Sequence, residues 1–388
     1  MREARRRCLH SIGLWALGSG VPGASARAST ARYADVVRGV TPSFPRDHGA
    51  HDAYRTEWWY VTGWLRRTEG PYRGEPAGVQ ITFFRSRTGH DAANPSRFAP
   101  VQLLFAHAAL ALPERGSLLH AQRAAREGLG LADASRTDTS VAIGDWSLRR
   151  EAADVYRARA VDASLAIELV FRPGASPVLQ GDGGFSRKGP RETQASYYYS
   201  RPQLAVTGTI GDATRRDAVE GVAWLDHEWS SEILDPSASG WDWVGLNFDD
   251  GSALMAFRIR KRDGGTLWTD ARWIDAVRTG VGAVESAASG ATAAPAASGA
   301  RSGRAGVHFE PLRHWSSPRT GVRYPVAMRV RVDERSYTLE PLFDDQELDS
   351  RASTGVVYWE GAVRVLREGV EVGRGYLELT GYRAPVRF

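Results

Sequence analysis

The chain has 388 residues, 42% of them hydrophobic, 10% aromatic and 24% charged, which excludes wholesale disorder and supplies enough apolar area for a sizeable core. Its formal charge of +5 is concentrated at the start, where residues 1–28 hold five arginines against Glu3 and leave only +1 on the remainder. A near-neutral remainder lacks the clustered positive footprint that nucleic-acid binding requires. The single cysteine, Cys8, lies in the same segment, so a processed chain has neither a disulfide nor a thiolate metal site.

Arg5-Arg6-Arg7-Cys8-Leu9 precedes a short apolar stretch over 12–21, followed by the small-x-small sites Ala24-Ser25-Ala26 and Ala26-Arg27-Ala28. This pattern predicts an export signal over 1–28 and a periplasmic or secreted protein. The paired arginines resemble a twin-arginine signal, whereas Cys8 and His10 depart from it, so Tat and Sec export both stay open. The apolar stretch is too short to span a bilayer.

From there, strand signals with period-two alternation recur over 57–65, 78–85, 101–110, 146–150, 165–171, 196–204 and 221–229. One helix is predicted, over 118–128, from its Leu, Ala, Gln and Arg content. The second half opens with a hairpin in which 241–248 turns at Asp249-Asp250-Gly251 and returns as 252–260. Residues 279–306 are nearly all Gly, Ala and Ser, a flexible-loop composition. Strands resume over 324–332, 336–339, 356–365 and 375–382. The expectation is an all-β protein of two antiparallel β-barrels in tandem, 29–231 and 232–388, with 279–306 as a loop in the second.

The densest group of reactive side-chain types is Trp224-Leu225-Asp226-His227-Glu228-Trp229. On an extended strand Asp226 and Glu228 face one side, His227 and Trp229 the other, so a regular strand presents one pair to a given cavity. A carboxyl group in an apolar lumen has a raised pKa and can act as a general acid, while His227 can relay a proton. The structural alternative pairs the acids with arginines and places His227 and the tryptophans in the core. Glu57-Trp58-Trp59-Tyr60 and Gly240-Trp241-Asp242-Trp243 add aromatic faces that bind apolar chains or stabilise a cation. His48, His51 and Glu57 could be grouped with Asp226 or His227 around a metal, but their spacing matches no ligand motif, so neither metal nor other cofactor is expected. No G-x-S-x-G elbow occurs, since Gly184-Phe185-Ser186-Arg187-Lys188 fails at its last position, and Gly181-Asp182-Gly183-Gly184 lacks a phosphate loop's strand-to-helix setting.

Together, His48-Gly49-Ala50-His51, Thr56-Glu57-Trp58-Trp59-Tyr60, the run 80–85 (Gln-Ile-Thr-Phe-Phe-Arg), the run 224–231 with its Asp-His-Glu-Trp core, Gly240-Trp241-Asp242-Trp243 and the run 375–382 resemble the AttH-like, lipocalin-like branch of the carotenoid 1,2-hydratase (hydroxyneurosporene synthase) family. Many members of that branch are labelled only as secreted hydrolases. The resemblance implies two lipocalin-like (calycin) barrels and an apolar ligand. In the hydratase members water adds across an isoprenoid double bond, with a His-x-Trp pair, matched by His227 and Trp229, and a Tyr and an acidic proton donor on a later strand. Here 254–258 (Leu-Met-Ala-Phe-Arg) supplies neither, so Asp226 or Asp242 is expected to donate the proton, Trp229 to stabilise the cation and His227 to steer water. Glu57, Trp58, Tyr60, Trp241 and Trp243 are the expected substrate contacts. The readings that follow are an exported hydratase or hydrolase acting on an isoprenoid or lipid, a non-catalytic carrier of such a ligand, or a two-barrel scaffold. The expected partner is an apolar small molecule, with peripheral membrane contact as a further option.

Overall fold

The computed structural model describes residues 33–91, 93–96, 98–276 and 306–387. The expected export signal over 1–28 and nearly all of the Gly/Ala/Ser segment lie outside the described residues.

The first sheet is antiparallel throughout. Its strands are β1 (Thr56–Arg67), β2 (Pro76–Arg87), β3 (Gln102–Ala111), β4 (Leu119–Arg126), β5 (Ala132–Ala134), β6 (Ser140–Ile143), β7 (Trp146–Glu151), β8 (Val155–Val161), β9 (Ala166–Arg172), β10 (Val178–Leu179), β11 (Phe185–Arg187), β12 (Ala195–Gly211) and β13 (Arg216–Glu232). They run in the order β4-β3-β2-β1-β13-β12-β9-β8-β7-β6-β5, with β10 and β11 on β12. The sheet curls almost shut, because Arg123 on edge strand β4 donates to the carbonyls of Ile143 (3.1 Å) and Val161 (3.2 Å) on the far side. Its lumen is filled by Trp59, Phe83, Leu104, Trp146, Tyr156 and Phe171 among others.

The second sheet comprises β14 (Ala238–Phe248), β15 (Ala253–Lys261), β16 (Thr266–Ile274), β17 (Val307–Ser316), β18 (Arg323–Val332), β19 (Arg335–Pro341), β20 (Glu347–Ser350), β21 (Val356–Arg367) and β22 (Val370–Thr380). Their order is β16-β15-β14-β22-β21-β19-β18-β17, with β20 on β21. This sheet forms a half-barrel around Leu246, Tyr324, Met328, Trp359 and Leu377. The expected hairpin is present, closed by Gly251 N–H donating to Phe248 O at 3.0 Å.

The protein is therefore all-β with two barrel-like units, as the alternation predicts. One element differs. Residues predicted as a helix over 118–128 form β4, because β3 offers that segment a full antiparallel ladder, from Leu110 opposite Leu119 to Leu103 opposite Arg126. A continuous ladder outweighs a helix preference of a few tenths of a kcal/mol per residue, roughly the spread among such residues.

The outer faces of the two sheets pack against each other through Tyr60, Trp64, Tyr198 and Trp224 on one side and Trp243, Met255 and Tyr376 on the other. They approach most closely at Gly78, where an added Cβ would lie 2.6 Å from the Tyr376 hydroxyl and 2.7 Å from Ala362. Strands β1, β2 and β13 are consequently buried on both faces. That double burial creates two chemically different environments on one strand.

Candidate active site between the two sheets

Alternation on β13 sends Asp226 and Glu228 outward between the sheets and His227 and Trp229 into the first barrel's lumen. Between the sheets lies a cavity of about 340 Å³, a size within the range of small-molecule sites. The first sheet lines it with Trp58, Tyr60, Phe84, Phe105 and His107, the second with Trp241, Trp243, Phe257 and Tyr358. Four carboxyl groups stand in this aromatic wall: Asp226, Glu228, Glu360 and Glu378.

Each acid is held differently. Asp226 is fully buried and accepts hydrogen bonds from Ser200 Oγ (2.5 Å), Trp224 Nε1 (2.6 Å) and Tyr198 Oη (2.7 Å). Burial pushes its pKa up to about 7, against the opposing pull of those three donors. Glu228 Oε1 lies 2.9 Å from Lys188 Nζ and accepts from Ser196 Oγ. Glu360 on β21 and Glu378 on β22 are cross-strand partners, so two carboxyl groups share one face with no cation bonded to either among the described residues. Glu378 Oε1 accepts from Thr380 Oγ1 (2.8 Å) and Trp241 Nε1 (2.9 Å), and burial pushes it up to about 7. Burial, then the neighbouring Glu378, holds Glu360 well above the carboxylate range. Tyr60 Oη donates to Glu360 Oε1, while Glu360 Oε2 is buried and has no hydrogen-bond partner among the described residues. A buried carboxyl that keeps its proton and leaves one oxygen uncommitted is equipped to act as an acid.

The opposite face of β13 holds a satisfied polar network. Glu57 is fully buried, and its Oε2 accepts from Arg85 Nε (2.7 Å) and the His51 amide (2.9 Å). Its Oε1 lies 2.7 Å from His51 Nδ1 and 2.8 Å from His227 Nε2. Burial opposes ionisation of Glu57, but the Arg85 and His51 charges overcome it and hold its pKa well below the usual range. Burial pushes His227 down to about 4, so its ring is neutral, its Nε2–H donates to Glu57 and its Nδ1 accepts from Tyr199 Oη at 3.2 Å. His51 lies between two carboxylates, Glu57 and Asp47 (3.2 Å), which raise its pKa against its burial. Trp229 stacks on the His51 ring at 3.7 Å between centroids.

The sequence-predicted residues therefore divide. Asp226, Glu228, Trp58, Tyr60, Trp241 and Trp243 meet in the cavity. His227, Trp229 and Glu57 do not, because strand alternation turns them into the lumen, where His227 and Glu57 are bound to each other. Asp242 is also elsewhere: it faces the half-barrel core, held by Arg258 Nε (2.9 Å), Arg260 Nε (3.0 Å) and Tyr382 Oη (2.9 Å). Sequence reasoning passed over three further cavity residues, Tyr358 and Glu360 on β21 and Glu378 on β22. A lone Glu in the apolar run Val356-Val357-Tyr358-Trp359-Glu360-Gly361-Ala362-Val363 was the available signal, since isolated charges are rarely buried without purpose.

Two curled antiparallel sheets clasping an aromatic, acid-lined cavity define the class of protein. The chain belongs to the AttH-like family, whose profile matches residues 35–382. A crystal structure assigned to AttH from Nitrosomonas europaea is 46% identical, covers 90% of this chain and 99% of its own, and superposes with a TM-score of 0.78. Kievitone hydratase from Nectria haematococca shares the fold at 13% identity, with 92% and 97% coverage and a TM-score of 0.62. No protein of curated function matches the chain.

Proposed function

We propose that the cavity between the sheets binds an apolar alkene, an isoprenoid or unsaturated lipid, and adds water to it by acid catalysis. The observation that carries this reading is Glu360 Oε2, which has no hydrogen-bond partner among the described residues and belongs to a carboxyl whose burial among aromatic rings favours its protonated form. In this mechanism Glu360 protonates one alkene carbon, and the faces of Trp58 and Trp243 stabilise the resulting tertiary cation through their quadrupoles. Water then attacks the cation, and the proton it releases returns to the Glu360–Glu378 pair, restoring the starting state. Asp226, whose oxygens are engaged by three donors, is a positioning residue for Tyr198 and the cavity wall rather than the acid. The fold shared with kievitone hydratase agrees with this chemistry without specifying a substrate. Export, inferred from the leader sequence alone, would place the protein near envelope lipids.

The aromatic lining by itself would equally suit a non-catalytic carrier, which has no use for a protonated, uncommitted carboxyl. Incubation with unsaturated isoprenoids in ¹⁸O-labelled deuterated water distinguishes the two. The hydratase reading expects a product carrying one labelled hydroxyl and one carbon-bound deuterium; a ligand recovered unlabelled and in stoichiometric amount overturns it.

A further inference from the structure

We propose that the first barrel holds a second site, independent of the cavity, that binds one divalent transition cation of the zinc type through His51 Nδ1, Glu57 Oε1 and His227 Nε2. These three atoms lie within 4.8 Å of one another, on side chains that sequence spacing alone does not bring together. Register explains the convergence: Glu57 sits opposite Trp229 and Trp59 opposite His227, so Glu57 and His227 are diagonal neighbours on the lumen face, and the turn before β1 folds His51 over them.

The donor set is two imidazoles and one carboxylate, a set that binds zinc with a position left open. The outer shell is in place. His51 is held through Nε2 by Asp47 at 3.2 Å, and His227 through Nδ1 by Tyr199 at 3.2 Å, the partners on the far ring nitrogen that orient metal-binding histidines. Glu57 Oε2 is saturated by Arg85 and the His51 amide, which leaves Oε1 as the single oxygen turned to both rings. A pocket of about 280 Å³, with His51, Asp47 and Trp229 in its wall, supplies the entry path.

Binding requires both rings to move. Zinc bonds of about 2.0–2.1 Å place tetrahedral donors about 3.3 Å apart, so each imidazole nitrogen retreats from Oε1 by about half an ångström, and the two nitrogens, which lie within 4.8 Å of each other, swing together around the ion. Zinc replaces the Nδ1 proton of His51, which leaves to solvent. His227 shifts its proton from Nε2 to Nδ1, and the Tyr199 hydroxyl, which can donate or accept, reverses to suit.

The test is calorimetric titration of the chelator-treated full chain with Zn²⁺, repeated with Co²⁺ and read by visible absorption. The expected result is one saturable site per chain, a tetrahedral Co²⁺ spectrum, loss of both in His51→Ala, and about 10–100-fold weaker binding in Asp47→Asn. His51 lies in a pocket wall and is not fully buried, so melting curves check that His51→Ala remains folded; Glu57→Gln is the second variant. No saturable binding by the wild-type protein, or unchanged binding in folded His51→Ala, overturns the proposal. Hydration of an alkene in the cavity can fail without affecting this result, and the reverse also holds.

Discussion

The two sides of β13 look onto buried acids in opposite states. On the lumen face, Glu57, His51, His227 and Tyr199 bond to one another, and Glu57 is ionised against Arg85. Across the cavity from the outer face, Glu360 on β21 and Glu378 on β22 stand side by side with no cation bonded to them among the described residues, and burial favours their neutral forms. The difference shows that burial alone does not decide whether an acid is ionised. A carboxyl met by a guanidinium and other donors on both oxygens stays charged, and one with an open oxygen beside a cavity retains its proton.

The largest effect that can break this comparison is on turnover. Glu360→Gln is expected to lower hydration of an isoprenoid by about 10²–10⁴-fold, the usual contribution of a general acid, with little change in the denaturation midpoint. Equal turnover in the variant would move the acid elsewhere. Asp242→Ala should show the reverse profile: about 3–5 kcal/mol lost in denaturant unfolding, because Arg258 and Arg260 are left buried without their partner, and turnover per folded molecule unchanged. A loss of turnover in excess of the folded fraction would return Asp242 to the catalytic set.

Smaller effects sharpen the same contrast. Burial, with a smaller contribution from the Glu228 charge, raises Glu378 from 4.5 to about 7 against the hydrogen bonds from Thr380 and Trp241. Between about pH 4.5 and 7 the unfolded chain releases this proton and the folded chain keeps it, so this group's contribution to stability falls as pH rises through that window. Stability profiles of wild type and Glu378→Gln should therefore diverge across pH 4.5–7, by up to about 3 kcal/mol, and run parallel above it. Parallel curves throughout would mean that Glu378 ionises normally. Trp241→Phe removes one neutral hydrogen bond from Glu378 and retains the ring, so a loss of about 0.5–1.5 kcal/mol in apolar ligand affinity or turnover is expected. A loss of two orders of magnitude would instead give Trp241 a direct chemical role.

Much of the fold was legible because period-two alternation survives in single strands: the hairpin at Asp249-Asp250-Gly251 and the strand at 57–65 needed no long-range information. Segment 118–128 was misread because its strand pairing depends on β3, which local propensity does not register. For the site, alternation correctly separated Asp226 and Glu228 from His227 and Trp229. It did not reveal that both faces are buried, since that follows from two sheets packing back to back. The expectation of a barrel lumen as the cavity thus drew in Glu57, His227 and Trp229 and passed over Glu360 and Glu378. Those two lie 132 and 150 residues beyond Glu228 and reach it only across the interface between the sheets.

The central claim is that an acid at the interface, not the histidine cluster in the lumen, performs the chemistry. The most direct measurement is ¹⁸O incorporation from labelled water into an unsaturated isoprenoid by wild type, Glu360→Gln and His51→Ala in parallel, at equal folded concentration. The account predicts labelled alcohol from wild type and His51→Ala and almost none from Glu360→Gln. Label retained in Glu360→Gln and lost in His51→Ala would contradict it and move the reaction into the first barrel.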